Sequence, residues 1–306
     1  ANIIAKMANG IADDLISTTL LATPRPIVVA PAMNNGMWKA PATQANMATL
    51  RDRGVHVVGP GSGYLACGDV DTGRMSEPED IVKAVCEVLN PVPQDLADKR
   101  IVITAGPTHE PIDPVRFIGN RSSGKMGIAL AGEAARRGAA VTLVLGPTSI
   151  DVPRGVECVR VQTAAEMLEA ALSAFQTADA AICAAAVADY TPAAPADHKL
   201  KKANERLDRI ELVETVDILA ELSHQKGERC VIGFAAETDN VVEYAQRKLG
   251  RKGCDVIIAN DVSRADSGFG TDTNKAWIVS TAGTQELPVL TKPQLAATIL
   301  DLLQNI

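Results

Sequence analysis

From residue 100 onward, short aliphatic runs alternate with longer amphipathic stretches, and this alternation leaves few folds open. The runs Arg100–Thr104, Ala140–Leu145, Asp179–Ala184, Cys230–Phe234 and Asp255–Ala259 are apolar on both faces, as strands buried between two layers must be. Helical periodicity fills the gaps between them. Strands separated by helices imply a parallel sheet, right-handed crossovers and helices on either face, which is a doubly wound α/β domain. Two helices carry their own punctuation. Thr163-Ala-Ala-Glu166 is a capping box opening Thr163–Thr177, and Arg136-Arg137-Gly138 places cations and a glycine at the end of Lys125–Arg137. Asn274–Glu286 is more β-like and suits a hairpin around Ala282-Gly283, followed by a helix over Lys292–Gln304.

Before this domain, Ile27–Ala30 and Val55–Gly59 read as strands, with helices near Asn2–Thr18, Thr43–Arg53 and Glu77–Leu89, so the first part is α/β as well. The segment NPVPQDLADK, with two prolines among polar residues, marks the boundary. The expected organisation is residues 1–89, a linker over 90–99, and residues 100–306. The chain opens on Ala1 inside a helical pattern, which reads as a fragment of something longer.

At 306 residues, 46% hydrophobic and without an apolar run of the ~18 residues a membrane span needs, the chain reads as soluble. A net charge of −7 and 3% aromatic residues disfavour general nucleic-acid binding. Six cysteines, at 67, 86, 158, 183, 230 and 254, form no C-x-x-C pair, and the four histidines are dispersed, so no metal ligand set can be read. Cysteines within apolar runs fit a reducing, cytoplasmic setting.

In doubly wound sheets ligands bind beyond the carboxyl ends of the strands, where turns and helix N-termini present amide donors. Ala105-Gly106-Pro107-Thr108 follows the first strand of the second domain, and Gly119-Asn-Arg-Ser-Ser-Gly-Lys125 precedes a helix. The second nearly matches a phosphate-binding P-loop, but Met126 stands where the magnesium-binding hydroxyl belongs. Anion binding by the amides around Ser122, Ser123 and Gly124 and simple helix capping both fit it. Gly59-Pro-Gly-Ser-Gly63 lacks the third fingerprint glycine and a following helix, so it does not signal NAD. Cys67 sits in a Gly- and Asp-rich stretch, where a reactive thiol and a chance occurrence are both open. Lys199-Leu-Lys-Lys202 suits either a solvated patch or a triphosphate contact, and Lys248 and Lys252 share one helix face.

Together these segments resemble the bifunctional phosphopantothenoylcysteine decarboxylases and phosphopantothenate–cysteine ligases of bacterial coenzyme A synthesis. Pro31-Ala-Met-Asn-Asn-Gly-Met-Trp38, Leu65-Ala-Cys-Gly68 and Gly73-Arg-Met75 are similar to the decarboxylase motif and its substrate flap. Ile103-Thr-Ala-Gly-Pro-Thr108, Asp113-Pro-Val-Arg116, Asn120–Gly127, Ala185–Tyr190, Lys199–Lys202, Gly233–Thr238 and Ala259-Asn-Asp261 are similar to the ligase. The resemblance implies two Rossmann-like three-layer domains, a partial flavoprotein domain followed by a doubly wound ligase domain.

It also implies the chemistry. The carboxylate of 4'-phosphopantothenate attacks the α-phosphate of CTP, giving an acyl-cytidylate and pyrophosphate, and the amine of cysteine then displaces CMP. Lys199 is the expected catalytic cation for the first step and Asn120 the expected catalytic residue of the second. CTP is expected against Gly106, Thr108, Cys183, Ala184, Ala185, Asp189, Lys199, Val216, Asp217, Ile218, Leu219, Phe234, Lys248 and Lys252, with Mg2+ accompanying the triphosphate. Ser122, Ser123 and Gly124 are expected to bind substrate. In the decarboxylase part FMN is implied, with Asn34 and Met37 binding substrate and Cys67 protonating the intermediate. By the same resemblance, the start of the flavin domain and its catalytic histidine would precede Ala1, so decarboxylation by this chain alone is not expected. A homo-oligomer assembled as a ligase dimer is implied, as is a preference for CTP over ATP. Two readings from other classes remain as alternatives: a non-catalytic binding or regulatory subunit of flavoprotein descent, and an NAD(P)-binding Rossmann enzyme.

Overall fold

In the computed structural model, residues 1–64, 70–89, 91–201, 208–264, 266–268 and 270–304 are described. The chain divides into two compact units, Ala1–Val92 and Pro93–Ile306.

In the first unit, the helix expected over Asn2–Thr18 is two helices, α1 (Asn2–Asn9) and α2 (Leu15–Ala22). Gly10 adopts a left-handed φ of 68° and ends α1, while the Asp14 carboxylate accepts the Ser17 N–H at 2.8 Å in a capping box that starts α2. Local caps overrode a hydrophobic pattern that continues across the break. Strand β1 (Val28–Val29) pairs in parallel with β2 (His56–Val57). Between them lie α3 (Asn35–Lys39) and α4 (Pro41–Asp52), the latter opening on a proline whose missing N–H costs nothing at that position. An antiparallel pair, β3 (Gly61–Tyr64) and β4 (Val70–Arg74), precedes α5 (Pro78–Leu89). Ile4, Ala8, Met47 and Leu50 form this unit's buried cluster, with Met33 and Trp38 packed against it.

The second unit begins with β5 (Arg100–Ala105), a short hairpin of β6 (His109–Pro111) and β7 (Phe117–Gly119), and α6 (Lys125–Arg136). It continues through β8 (Ala140–Leu145), β9 (Val156–Arg160), α7 (Ala164–Phe175), β10 (Ala180–Cys183), the pair β11 (Tyr190–Pro192) and β12 (Leu212–Glu214), and α8 (Ile218–His224). The remaining elements are β13 (Cys230–Glu237), α9 (Val241–Lys252), β14 (Val256–Asp261), β15 (Thr273–Ser280), β16 (Gly283–Thr291) and α10 (Lys292–Asp301). One sheet has the order β16-β15-β14-β13-β10-β5-β8-β9. The strands from β14 to β9 run parallel, and the β15–β16 hairpin adds antiparallel to β14, so the expected parallel sheet carries an antiparallel edge.

Both faces are covered. Ile101, Ile103, Leu143, Ile182 and Ile232 pack with Leu130 of α6 and Leu295 and Ile299 of α10, whereas Val102, Val144, Ala181, Val231 and Ile257 pack with α7, α8 and α9 through Met167, Phe175, Leu222 and Leu249. Alternate residues of one strand thus feed opposite layers. The parallel strands are ordered as in doubly wound nucleotide-binding folds, and the order reverses at β5, between β8 and β10. Crossovers on either side of that point leave by opposite faces, which opens a crevice above the carboxyl ends of β5 and β10.

Helix α6 approaches β5 closely because position 127 is glycine. A Cβ there would lie 2.4 Å from Cβ of Ala105. Gly127→Ala is therefore expected to destabilise the second unit by about 1–3 kcal/mol, as overpacking does, read as a lower midpoint in urea unfolding. An unchanged midpoint contradicts this packing.

Candidate active site

The crevice at the strand reversal is a cleft of about 650 Å³. Its walls come from the tips of β5, β10, β13 and β14, from the N-termini of α6 and α8, and from one face of α9. Asn120, Ser122, Ser123, Gly124, Cys183, Ala184, Ala185, Asp189, Val216, Asp217, Ile218, Leu219, Phe234, Lys248 and Lys252 line it. Residues separated by more than a hundred positions meet because their strands end at one edge.

Gly106 and Thr108 do not line the cleft; both are buried, and Thr108 is 0% exposed. They fasten the loop after β10 to the loop after β5. The Gly106 carbonyl accepts from Ala186 N–H at 2.9 Å, and the Thr108 hydroxyl accepts from Ala188 N–H at 3.0 Å. The Thr108 hydroxyl, expected against CTP, accepts from the backbone of the neighbouring loop and is fully buried. Gly106 (φ 81°) also lets the turn lie against Gly146, whose carbonyl oxygen would be 3.0 Å from a Cβ.

Asn120 donates through Nδ2 to the carbonyls of Ala186 at 3.1 Å and Val187 at 2.9 Å. Two carbonyl acceptors fix the amide orientation, so both its hydrogens face the loop and Oδ1 is the atom left to a ligand. At the start of α6, the Ser122 hydroxyl accepts from Gly124 N–H at 3.3 Å, and Thr148 donates to the Ser123 carbonyl at 2.9 Å. Gly124 itself is left-handed, with φ 79°, which turns the chain so that the first α6 amides face the cleft.

At the other wall, Asp217 caps α8, accepting Ala220 N–H at 2.8 Å, and pairs with Lys252. Lys248 donates to the Phe234 carbonyl at 2.7 Å. Burial pushes its ammonium below the usual lysine value; Asp217 opposes that shift and Lys252 adds to it. Burial likewise drives the Cys183 thiol up to about 12, aided by Cys254 and Asp217, so it is a wall and not a nucleophile.

Lys199 is exposed and lies outside the cleft lining. The next residue, Leu200, is held at both backbone groups: its N–H donates to Asp113 at 3.2 Å and its carbonyl accepts from Arg116 at 2.5 Å. Burial works against the charge of Asp113, yet the N–H groups of Val115, Arg116 and Leu200, with the Arg116 guanidinium, hold the carboxyl below its ordinary range. The sequence motif Asp113-Pro-Val-Arg116 is thus the fastening for the Lys199 segment. Lys202 lies outside the described residues.

The cleft extends past the residues the sequence pointed to. Lys125, Asn260, Gly268, Gly270, Asn274 and Lys292 line its far end. One signal for Lys292 was present: a lysine directly after Thr291, in the first turn of a helix, opposes the helix dipole. Among the described residues no group of three or more His, Cys, Asp or Glu side chains is placed to hold a metal.

Asn34 and Met37 belong to the first unit. Asn34 caps α3, accepting Gly36 N–H at 2.8 Å, and Met37 is half exposed. The motif abuts β4, where Met33 N–H donates to the Gly73 carbonyl at 3.0 Å; a Cβ on Gly73 would meet the Met33 carbonyl oxygen at 2.3 Å. Cys67 lies outside the described residues.

Residues 96–306 match the DNA/pantothenate metabolism flavoprotein C-terminal domain model, and residues 1–90 match the flavoprotein model. The coenzyme A biosynthesis bifunctional protein CoaBC of Bacillus subtilis is 48% identical over 303 residues, spanning 98% of this chain and 74% of that protein. The chain belongs to the CoaBC family. CoaBC of Escherichia coli K12 is 48% identical over 304 residues, spanning 98% of this chain and 75% of that protein. The crystal structure of the C-terminal domain of a CoaBC is 45% identical, with a TM-score of 0.59 over 69% of this chain and 97% of that one. A flavoprotein of DNA/pantothenate metabolism from Streptococcus pneumoniae, 23% identical with a TM-score of 0.57, shares the fold. No helix among the described residues is long and apolar enough to cross a membrane.

Removing the Asp113 carboxylate releases the Leu200 N–H and the local turn. Asp113→Ala is expected to raise the initial rate of tryptic cleavage at the Lys199–Leu200 bond by about tenfold, mapped by mass spectrometry. An unchanged rate at that bond contradicts the fastening role.

Proposed function

We propose that the second unit is a phosphopantothenate–cysteine ligase of coenzyme A synthesis that uses CTP. The observation that carries this reading is the cleft at the strand reversal, where a helix N-terminus suited to phosphate faces the Asp217, Lys248 and Lys252 group across a strand-tip floor. Membership of the CoaBC family supports the substrate class. Mg2+ belongs to the reading as the ion that accompanies a nucleoside triphosphate.

In the first half-reaction a carboxylate oxygen of 4'-phosphopantothenate forms a bond to the α-phosphorus of CTP. The bond from that phosphorus to the bridging oxygen breaks, and pyrophosphate leaves with the electron pair. Charge builds on the phosphoryl oxygens, and α6 amides together with the Lys199 ammonium are suited to stabilise it. Lys199 is exposed, outside the cleft lining, and the backbone of the next residue, Leu200, is held by Asp113 and Arg116. In the second half-reaction the cysteine nitrogen attacks the acyl carbon, loses a proton, and CMP leaves with the oxygen that came from the carboxylate. Because the Asn120 amide hydrogens face Ala186 and Val187, its Oδ1 is suited to accept a hydrogen bond from the attacking amine, which orients the nitrogen lone pair. This gives Asn120 an acceptor role in the second step.

The first unit, in the same reading, belongs to an FMN-dependent phosphopantothenoylcysteine decarboxylase. FMN, when bound, supplies the oxidation and re-reduction of the substrate thiol. The half-open surface around Met33, Met37 and Trp38, backed by the Ile4 cluster, fits an apolar ring system, and Asn34 and Met37 are suited to hold the substrate beside it. The chain reads as a family enzyme and not as an NAD(P) enzyme. The turn after β5 does not lead into a helix; it leads into the β6–β7 hairpin, and α6 starts only at Lys125.

The roles separate in two variants. Lys199→Gln is expected to abolish pyrophosphate release from CTP and 4'-phosphopantothenate, whereas Asn120→Asp is expected to release it and accumulate the acyl-cytidylate, detected by mass spectrometry without cysteine. Equal loss of pyrophosphate release in both variants contradicts the assignment.

A further inference from the structure

The amine that attacks the acyl carbon in the second half-reaction belongs to an amino acid, and an amino acid brings a carboxylate with it. Standard bond lengths set that carboxylate carbon about 2.5 Å from the amine nitrogen. Whatever binds the carboxylate therefore lies beside the group that orients the amine. Asn120 orients the nitrogen but has no charge to offer. A carboxylate drawn into the cleft without a cation would lose its water and gain nothing in return.

Five cationic residues among the described ones line the cleft, and four of them have partners. Lys125 pairs with Asp272 at 2.7 Å, and Lys252 pairs with Asp217. Lys248 donates to the Phe234 carbonyl at 2.7 Å, and Lys292 to Asn274 Oδ1 at 2.6 Å. Arg121 is the fifth. It is exposed, and among the described residues its guanidinium has no hydrogen-bond or ion-pair partner. It follows Asn120 directly, whose amide is pinned by the carbonyls of Ala186 at 3.1 Å and Val187 at 2.9 Å. The nearby Arg116 is already held, by Asp113 at 2.9 Å and by the Leu200 carbonyl at 2.5 Å.

We propose that Arg121 binds the α-carboxylate of the incoming cysteine and so selects an α-amino acid over a simple amine as the nucleophile. The assignment rests on the ligase reading given above. A guanidinium presents two parallel N–H donors in the plane of a carboxylate, so the pair orients the amino acid as well as attracting it. With the carboxylate on Arg121 and the amine on Asn120 Oδ1, two groups on one carbon are fixed, and the nitrogen lone pair is directed at the acyl carbon. Arg121 has no part in the first half-reaction, which contains no amino acid. Its exposure keeps the contact in reach of solvent, which limits the effect to the order of tenfold.

The test compares cysteine with cysteamine, which has the same thiol and amine but no carboxylate. Both are supplied to the full chain with CTP, Mg2+ and 4'-phosphopantothenate. The parent chain is expected to favour cysteine in kcat/KM. In Arg121→Gln the cysteine value is expected to fall about tenfold, mainly through KM, while the cysteamine value and the pyrophosphate burst without any amine stay within about twofold. Arg121→Lys, which keeps the charge but loses the planar fork, is expected to lie between parent and Arg121→Gln for cysteine. Where the parent chain does not turn over cysteamine, the cysteine value set against the burst without amine decides. An unchanged cysteine value in Arg121→Gln overturns the proposal, as does an equal fall with both amines, the mark of a residue that only supports its loop. A parent chain that does not prefer cysteine overturns it too. Each of these outcomes leaves the ligase reading intact. Absence of pyrophosphate release from the parent chain overturns that reading and this assignment with it.

Discussion

The contact on which the second unit depends is the close approach of α6 to β5. Gly127 lets the helix lie on Ala105, and Gly124 turns its backbone past Gly106, with a would-be Cβ 3.3 Å from the Gly106 Cα. This contact aims the unpaired amides of the α6 N-terminus across the carboxyl ends of the strands. Gly124, Lys125, Met126 and Gly127 of that N-terminus line the cleft. A helix set farther back would still complete the hydrophobic layer through Leu130 and Ala131, but would not deliver its dipole to the strand tips.

The second ordering element is the loop after β10. Thr104 at the end of β5 and Gly106 and Thr108 in the turn after it receive N–H groups from Ala184, Ala185, Ala186 and Ala188, and Asn120 closes the arrangement from a third side. A run of alanines gives no side-chain hydrogen bonds of its own, so its shape is set from outside. The result is a backbone surface that a ligand meets already organised, with little entropy left to lose on binding. The acidic net charge of the chain is no guide to this site: Lys125, Lys248, Lys252 and Lys292 all line the cleft.

Much of this was legible in the sequence, for identifiable reasons. The buried parallel strands carry apolar side chains on both faces, which separates them from surface elements. Strand β9 escaped notice because it is an edge strand whose pattern mixes Val156 and Cys158 with exposed Glu157 and Arg160. The α1–α2 break depends on one glycine and one cap within an apolar pattern. The Asn120 motif, and Lys248 and Asp217 among the residues the resemblance sets against CTP, pointed to the cleft, whereas Gly106 and Thr108, expected against CTP, lie outside its lining and hold the neighbouring loop. A hydroxyl in a strand-tip turn looks the same in sequence whichever partner it takes. Lys292 was missed because its burial depends on β15, β16 and the loop before them, which no local window contains.

The account stands on the carboxylate attacking the α-phosphorus within this cleft. The direct measurement is turnover of 4'-phosphopantothenate labelled with 18O in its carboxylate, with CTP and cysteine, followed by mass spectrometry of the products. The account predicts one 18O atom in CMP and none in pyrophosphate. The second 18O stays in the amide carbonyl in any case; unlabelled CMP, with the departing label in inorganic phosphate or pyrophosphate, would contradict it.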